Sequence, residues 1–140
     1  MKYVSTRDAQ RAYSAPETIV KGIADDGGLF VPSSFPTIDK EFLASLSEMT
    51  YPERVAKVLH LFMDEFAETE LLSFAEKAYS RFDGDPCPVV KIEDGLYVLE
   101  LWHGPTFAFK DMALTLLPYL MVESKKKLGV DETTLVLVAT

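Results

Sequence analysis

The hexapeptide Asp83-Gly84-Asp85-Pro86-Cys87-Pro88 constrains this chain more than any other stretch. Its prolines fix φ and remove backbone donors, and its glycine and aspartates favour turns, so neither a helix nor a strand runs through it. Before it, apolar residues recur at helical spacing; after it, short strand-like runs appear first. Such a chain is expected to fold as α/β, with a small helix-rich domain over residues 1–85 and the beginning of an α/β domain over residues 86–140.

Capping chemistry places the helices of the first part. Ser14, Pro16 and Glu17 supply an N-cap, a first-turn proline and an early acid for a helix through Val20 that stops at Gly22. It lies between short strands expected at Lys2 to Ser5 and after the Asp25-Asp26-Gly27-Gly28 turn. Asp39 caps a helix carrying Phe42, Leu43 and Leu46, and Thr50, Pro52 and Glu53 start a longer one. There Val55, Val58, Leu59, Phe62, Met63 and Phe66 form one face of a 3.6-residue period, a core-facing stripe. A further helix is expected over Glu70 to Arg81.

Beyond the breaker, Val89 to Glu93 and Leu96 to Leu101 read as strands joined through Asp94-Gly95, a hairpin signal. After the loop from Trp102 to Phe109 comes a helix including Met112, Leu116, Leu117 and Leu120, in which Pro118 predicts a kink or an early break. Leu135 to Ala139 is a continuous apolar run of the kind found in a parallel strand buried on both faces.

Composition narrows the function classes. Twenty-two acidic residues against 14 basic ones leave a net charge of -8, which repels a nucleic-acid backbone or an anionic membrane. No apolar run approaches a membrane span, and Cys87, the only cysteine, fits a reducing compartment, so a cytoplasmic location is expected. His60 has no second ligand beside it and reads as structural, and no metal site is expected. Lys125 to Lys127 fall where a helix ends and complement its dipole.

Lys110 is the residue with a chemical use. It stands between Phe107-Ala108-Phe109 and Met112-Ala113-Leu114 at a helix start, an expected poorly hydrated setting that opposes its charge and favours the neutral amine. An aldehyde cofactor requires that amine as its nucleophile. A lone lysine in apolar surroundings more often snorkels to solvent. Here His103-Gly104-Pro105-Thr106 makes a stiff approach, Thr106 and Asp111 add a hydroxyl and a carboxylate, and Phe107 and Phe109 offer rings to pack on a planar group. Ordinary turn and N-cap chemistry is the competing account of His103, Thr106 and Asp111.

The segment HGPTFAFKD, residues 103–111, resembles the cofactor-lysine segment of the threonine synthases, enzymes of the fold-type II pyridoxal phosphate group. KYVSTR followed by ETIVKGIADDGGLFVP is similar to the same family's amino-terminal signature. The resemblance implies that Lys110 carries pyridoxal 5'-phosphate as a Schiff base and, once freed, moves protons. It implies conversion of O-phospho-L-homoserine and water to L-threonine and phosphate, with Thr106 and Asp111 as neighbours of cofactor or substrate. Arg7, in STR, has the donor fork for a phosphate or carboxylate. The family continues from a strand like Leu135 to Thr140 into a phosphate-holding loop, so a truncated amino-terminal piece, inactive alone, is expected. A related phospholyase producing a keto acid is the alternative within the fold. A non-catalytic interaction module, self-associating through uncovered apolar surface, is the alternative outside it.

Overall fold

The computed structural model describes residues 1–137. Its first strand, β1 (Tyr3–Ser5), pairs antiparallel with β2 (Phe30–Pro32), Tyr3 opposite Pro32 and Ser5 opposite Phe30. Tyr3 also exchanges backbone hydrogen bonds with Tyr13, at 2.9 and 2.8 Å, which brings the chain back for α1 (Ala15–Lys21). The Ser14 N–H donates to Glu17 Oε2 at 2.6 Å and the Glu17 N–H to Ser14 Oγ at 3.4 Å, a reciprocal cap that satisfies donors the first turn leaves free. Gly22, at φ 75°, ends this helix in the left-handed region.

Asp39 accepts from the Phe42 N–H at 2.7 Å and starts α2 (Lys40–Ser47) as expected. The next two helices, α3 (Tyr51–Phe62) and α4 (Glu68–Tyr79), pack against one another. The apolar period continues to Phe66, but α3 ends at Phe62. Phe66 is nevertheless fully buried, its amide donating to Met63 O at 3.0 Å in the connecting turn. His60 Nδ1 lies 3.0 Å from Phe66 O, so Nδ1 carries the proton and His60 ties the turn to α3. Along α3 the fully covered residue is Ala56, whereas Val55 and Leu59 are half-buried and Val58 is exposed.

Phe66 and Leu71 anchor the core with Ala15, Ala75, Ala78, Tyr79 and, from far along the sequence, Leu116 and Leu120. Burying a leucine of this kind contributes about 1.5–3 kcal/mol. The hairpin of β3 (Val89–Glu93) and β4 (Leu96–Leu99) lies outside that core: Val89, Ile92, Tyr97 and Leu99 are all exposed. Gly95, at φ 82°, makes its turn, and the register shifts between Lys91 and Glu93.

The last helical stretch breaks at the expected proline. A single turn, α5 (Asp111–Leu114), precedes α6 (Leu117–Leu128), and Pro118 occupies the first turn of α6, where its missing N–H costs nothing. The helix α6 packs on α1, and each contributes a small buried residue, Ser124 and Ala15, compatible with close approach. Lys127 lies 3.2 Å from Glu70 and 3.8 Å from Glu123, so the basic end of α6 meets the acidic start of α4.

The expected strand at Leu135 to Ala139 requires correction. Residues 131–137 form no strand, and Leu135, Val136 and Leu137 are exposed; a strand needs a hydrogen-bonding neighbour, which the described residues do not offer here. Val138 and Ala139 lie outside the described residues. Among the described residues, no helix is long and apolar enough to cross a membrane.

Candidate functional site

The path from β4 to α5 holds the residues singled out by their chemistry. The Glu100 N–H donates to Pro88 O at 3.0 Å, and the Asp83 N–H to His103 O at 3.2 Å, so the breaker segment runs beside the start of this loop. His103 Nε2 lies 2.7 Å from Glu100 Oε2, and the Trp102 ring stacks on the imidazole at 4.2 Å. Gly104 then opens a turn closed by the Phe107 N–H donating to Gly104 O at 3.1 Å. Phe107, at φ 55°, is in the left-handed region that non-glycine residues rarely adopt.

Asp111 organises the loop. Its Oδ2 accepts from the Thr106 N–H at 2.7 Å and its Oδ1 from the Thr106 hydroxyl at 2.6 Å, with 5 % of the residue exposed. Those donors, the Thr106 hydroxyl first, hold the Asp111 carboxyl below its ordinary range, with Arg81 adding a favourable charge. A Cβ on Gly104 would come within 2.4 Å of Asp111 Cβ, so this position admits only glycine without rearrangement. The turn account of Thr106 and Asp111 is therefore realised, although no side chain caps α5, and the close backbone approach at Gly104 is to Asp111.

Lys110 sits next to this buried carboxylate and is itself exposed. Its carbonyl accepts from the Ala113 and Leu114 amides at 3.1 and 2.9 Å, which fixes the backbone at the start of α5. The expected poorly hydrated setting is not what the fold builds. Phe107 is 77 % and Phe109 66 % exposed, because the turn that encloses Asp111 leaves both rings outside. Among the described residues, no side chain hydrogen-bonds Lys110 Nζ, which leaves a reachable primary amine on a fixed backbone.

Arg7 serves a different loop. Its Nη1 donates to Asp26 O at 2.9 Å, while Asp26 Oδ1 accepts from the Ser5 hydroxyl at 2.8 Å and the Gly28 N–H at 2.7 Å. These bonds, the Gly28 amide first, lower the Asp26 carboxyl, and among the described residues none of them reaches the Lys110 loop.

Tyr79 is a contributor that no sequence signal marks. Its hydroxyl donates to Met112 O at 2.8 Å, joining α4 to α5 two residues after Lys110, and Tyr51 packs edge-on to it at 4.8 Å. Burial pushes both phenols up. Between α3 and the pair α5 and α6 lies a groove of about 520 Å³ lined by residues such as Val55, Leu59, Leu116 and Leu120. Its wall is almost wholly apolar and does not include Lys110, so it suits packing against protein better than orienting a polar substrate. No cluster of potential metal ligands occurs among the described residues.

Residues 2–79, more than half of the chain, match the sequence model of the family described as Threonine synthase N terminus. The chain belongs to that family. The threonine synthase of Schizosaccharomyces pombe is 38 % identical over 120 residues, covering 84 % of this chain and 23 % of the relative. Threonine synthase-like 2 of Xenopus laevis is 35 % identical over 133 residues, covering 90 % and 28 %. Among solved structures, the PLP-bound threonine synthase from Brucella melitensis superposes with a TM-score of 0.85 at 36 % identity, over 92 % of this chain and 28 % of that one. The α/β class and the threonine synthase amino-terminal fold expected from the sequence are thereby established, and the chain spans about a quarter of the length of these relatives.

Proposed function

We propose that this chain serves as the amino-terminal region of a pyridoxal phosphate-dependent threonine synthase that converts O-phospho-L-homoserine and water to L-threonine and phosphate. In this reading Lys110 is the residue to which the cofactor is attached, with Thr106 and Asp111 its neighbours. The observation that carries it is the exposed Lys110 amine beside the closed Thr106–Asp111 contact. A planar aldehyde cofactor fits what is present: a reachable primary amine and two exposed rings, Phe107 and Phe109, on the same loop. When bound, the cofactor supplies an electron sink for carbanion chemistry. Lys110 holds it covalently and, when released, its amine holds and moves a proton at Nζ.

Residues 86–140 are proposed as the start of the cofactor domain and residues 1–85 as the amino-terminal domain, in the cytoplasm. The relatives' greater length supports a catalytic unit larger than these 140 residues, with little turnover from them alone. The exposed apolar residues of β3 and β4 support contact with further protein, a second copy included; a clean monomer by sedimentation would count against the second copy.

The test is to treat the full-length protein that contains this chain with pyridoxal phosphate, reduce with borohydride and map the labelled peptide. Lys110 should be labelled ahead of every other lysine, and preferential labelling elsewhere would overturn the assignment. A second reading, a phospholyase of the same fold that releases phosphate and a keto acid, has the same need for a reachable Lys110 amine. Assaying keto acid against threonine in the full-length enzyme separates the two.

A further inference from the structure

Three features of the loop stand together: a buried carboxylate with both oxygens occupied, a glycine that cannot carry a Cβ, and an exposed lysine immediately before that carboxylate. We infer that Asp111 is a positioning residue for Lys110, locking the 104–110 loop onto Thr106 and Gly104 so that the amine is presented before any cofactor arrives. The inference rests on the reading of Lys110 as the cofactor lysine and adds what its neighbour does.

The chemistry explains why the acceptor is a carboxylate and why it faces Thr106. An ionised carboxylate takes a backbone N–H and a hydroxyl at once, and such charge-assisted bonds are about twice as strong as neutral ones. A loop with Phe107 in the left-handed region needs that compensation, since a strained backbone persists only where its surroundings over-determine it. The same contacts direct the carboxylate away from a second use. A carboxylate paired with the Lys110 ammonium would favour the charged form, which cannot attack a carbonyl. With its oxygens committed to Thr106, and with Arg81 the cation that acts on it, Asp111 holds the loop without pairing with the nucleophile. The depressed Asp111 carboxyl agrees with this geometry.

The experiment compares the unmodified full-length protein with its Thr106→Val variant, which deletes the hydroxyl donor, and its Thr106→Ser variant, which keeps it. Each is treated with pyridoxal phosphate and borohydride, and label at Lys110 is measured relative to exposed Lys40, with circular dichroism recorded for each protein. The ratio should fall about ten-fold in Thr106→Val, as misplacing a reacting group does, and return in Thr106→Ser. An equal ratio in folded Thr106→Val and unmodified protein overturns the positioning role alone. No preference for Lys110 over Lys40 in the unmodified full-length protein overturns both that role and the cofactor-lysine reading. If Thr106→Val does not fold, hydrogen exchange on the unmodified, cofactor-free protein decides the matter. A protected Thr106 amide supports a preset loop, and an unprotected one overturns it.

Discussion

Two loops of this protein are built from the same parts and differ in what they leave outside. At the amino terminus, Asp26 accepts from the Ser5 hydroxyl and the Gly28 amide, and a Cβ on Gly28 would meet Ser5 Oγ at 2.1 Å. Before α5, Asp111 accepts from the Thr106 hydroxyl and amide, and a Cβ on Gly104 would meet Asp111 Cβ at 2.4 Å. The first closes on Arg7 and joins the ends of two paired strands, so its donors and acceptors are spent on the fold. The second buries its aspartate yet leaves Lys110 and two phenyl rings in solvent. An aspartate, a hydroxyl and a crowded glycine make a rigid corner; whether the corner is structural or chemical depends on the residue left beside it.

The largest effect separating the corners is expected from Gly104→Ala. The clash is with a Cβ that cannot swing away, so destabilisation of about 1–3 kcal/mol in denaturant unfolding is expected, together with loss of preferential label at Lys110. Gly28→Ala meets the Ser5 hydroxyl at 2.1 Å, Asp26 Oδ1 at 2.9 Å and the Arg7 backbone nitrogen at 3.1 Å, so a comparable destabilisation of about 1–3 kcal/mol is expected, but with the Lys110 preference retained. If both variants lost that preference, the corners would not be independent.

Acid titration sharpens the comparison next. Both carboxyls are depressed below their ordinary value of 3.8, so each stabilises the fold above that value. As pH falls below it, the unfolded chain takes up protons first, and the contribution is lost on the way down to the lower folded value. Asp111→Asn and Asp26→Asn should each flatten the loss of thermal midpoint below pH 3.8, and the Lys110 label should respond to the Asp111 change alone. Tyr79→Phe follows, removing the bond to Met112 O behind the second corner at about 1 kcal/mol in denaturant unfolding. The smallest effect belongs to Lys57→Ala, which touches neither corner. Its exposed pair with Glu68 is worth at most about 1 kcal/mol, read in the same unfolding assay.

Much of the fold was legible because it depends on neighbours in sequence. The caps at Ser14 and Asp39, the Asp94-Gly95 turn and the break at Pro118 are local, and each lies where the residue types place it. The site is legible in the sequence as a segment but not as an environment. Two phenylalanines flanking Lys110 suggested burial, but exposure depends on which side of the turn faces the core, and Phe107 turns through the left-handed region. Gly104 was readable as a point of close approach, whereas its partner Asp111 depends on how the loop closes. Tyr79 was not readable at all, since nothing local links it to Met112. Likewise Phe66 continued the helical period of α3, yet it enters the core from a turn.

The packing of α1 against α6 also orders events in time. These helices are roughly a hundred residues apart, so bringing them together costs about 3 kcal/mol of closure entropy beyond that of a local contact. On a ribosome, Ala15 is made early but cannot find this neighbour until the stretch holding Ser124 has emerged. The amino-terminal strands and the α3–α4 pair can form first; the cover over α1, and the core contributions of Leu116 and Leu120 beyond the Lys110 corner, must come after them.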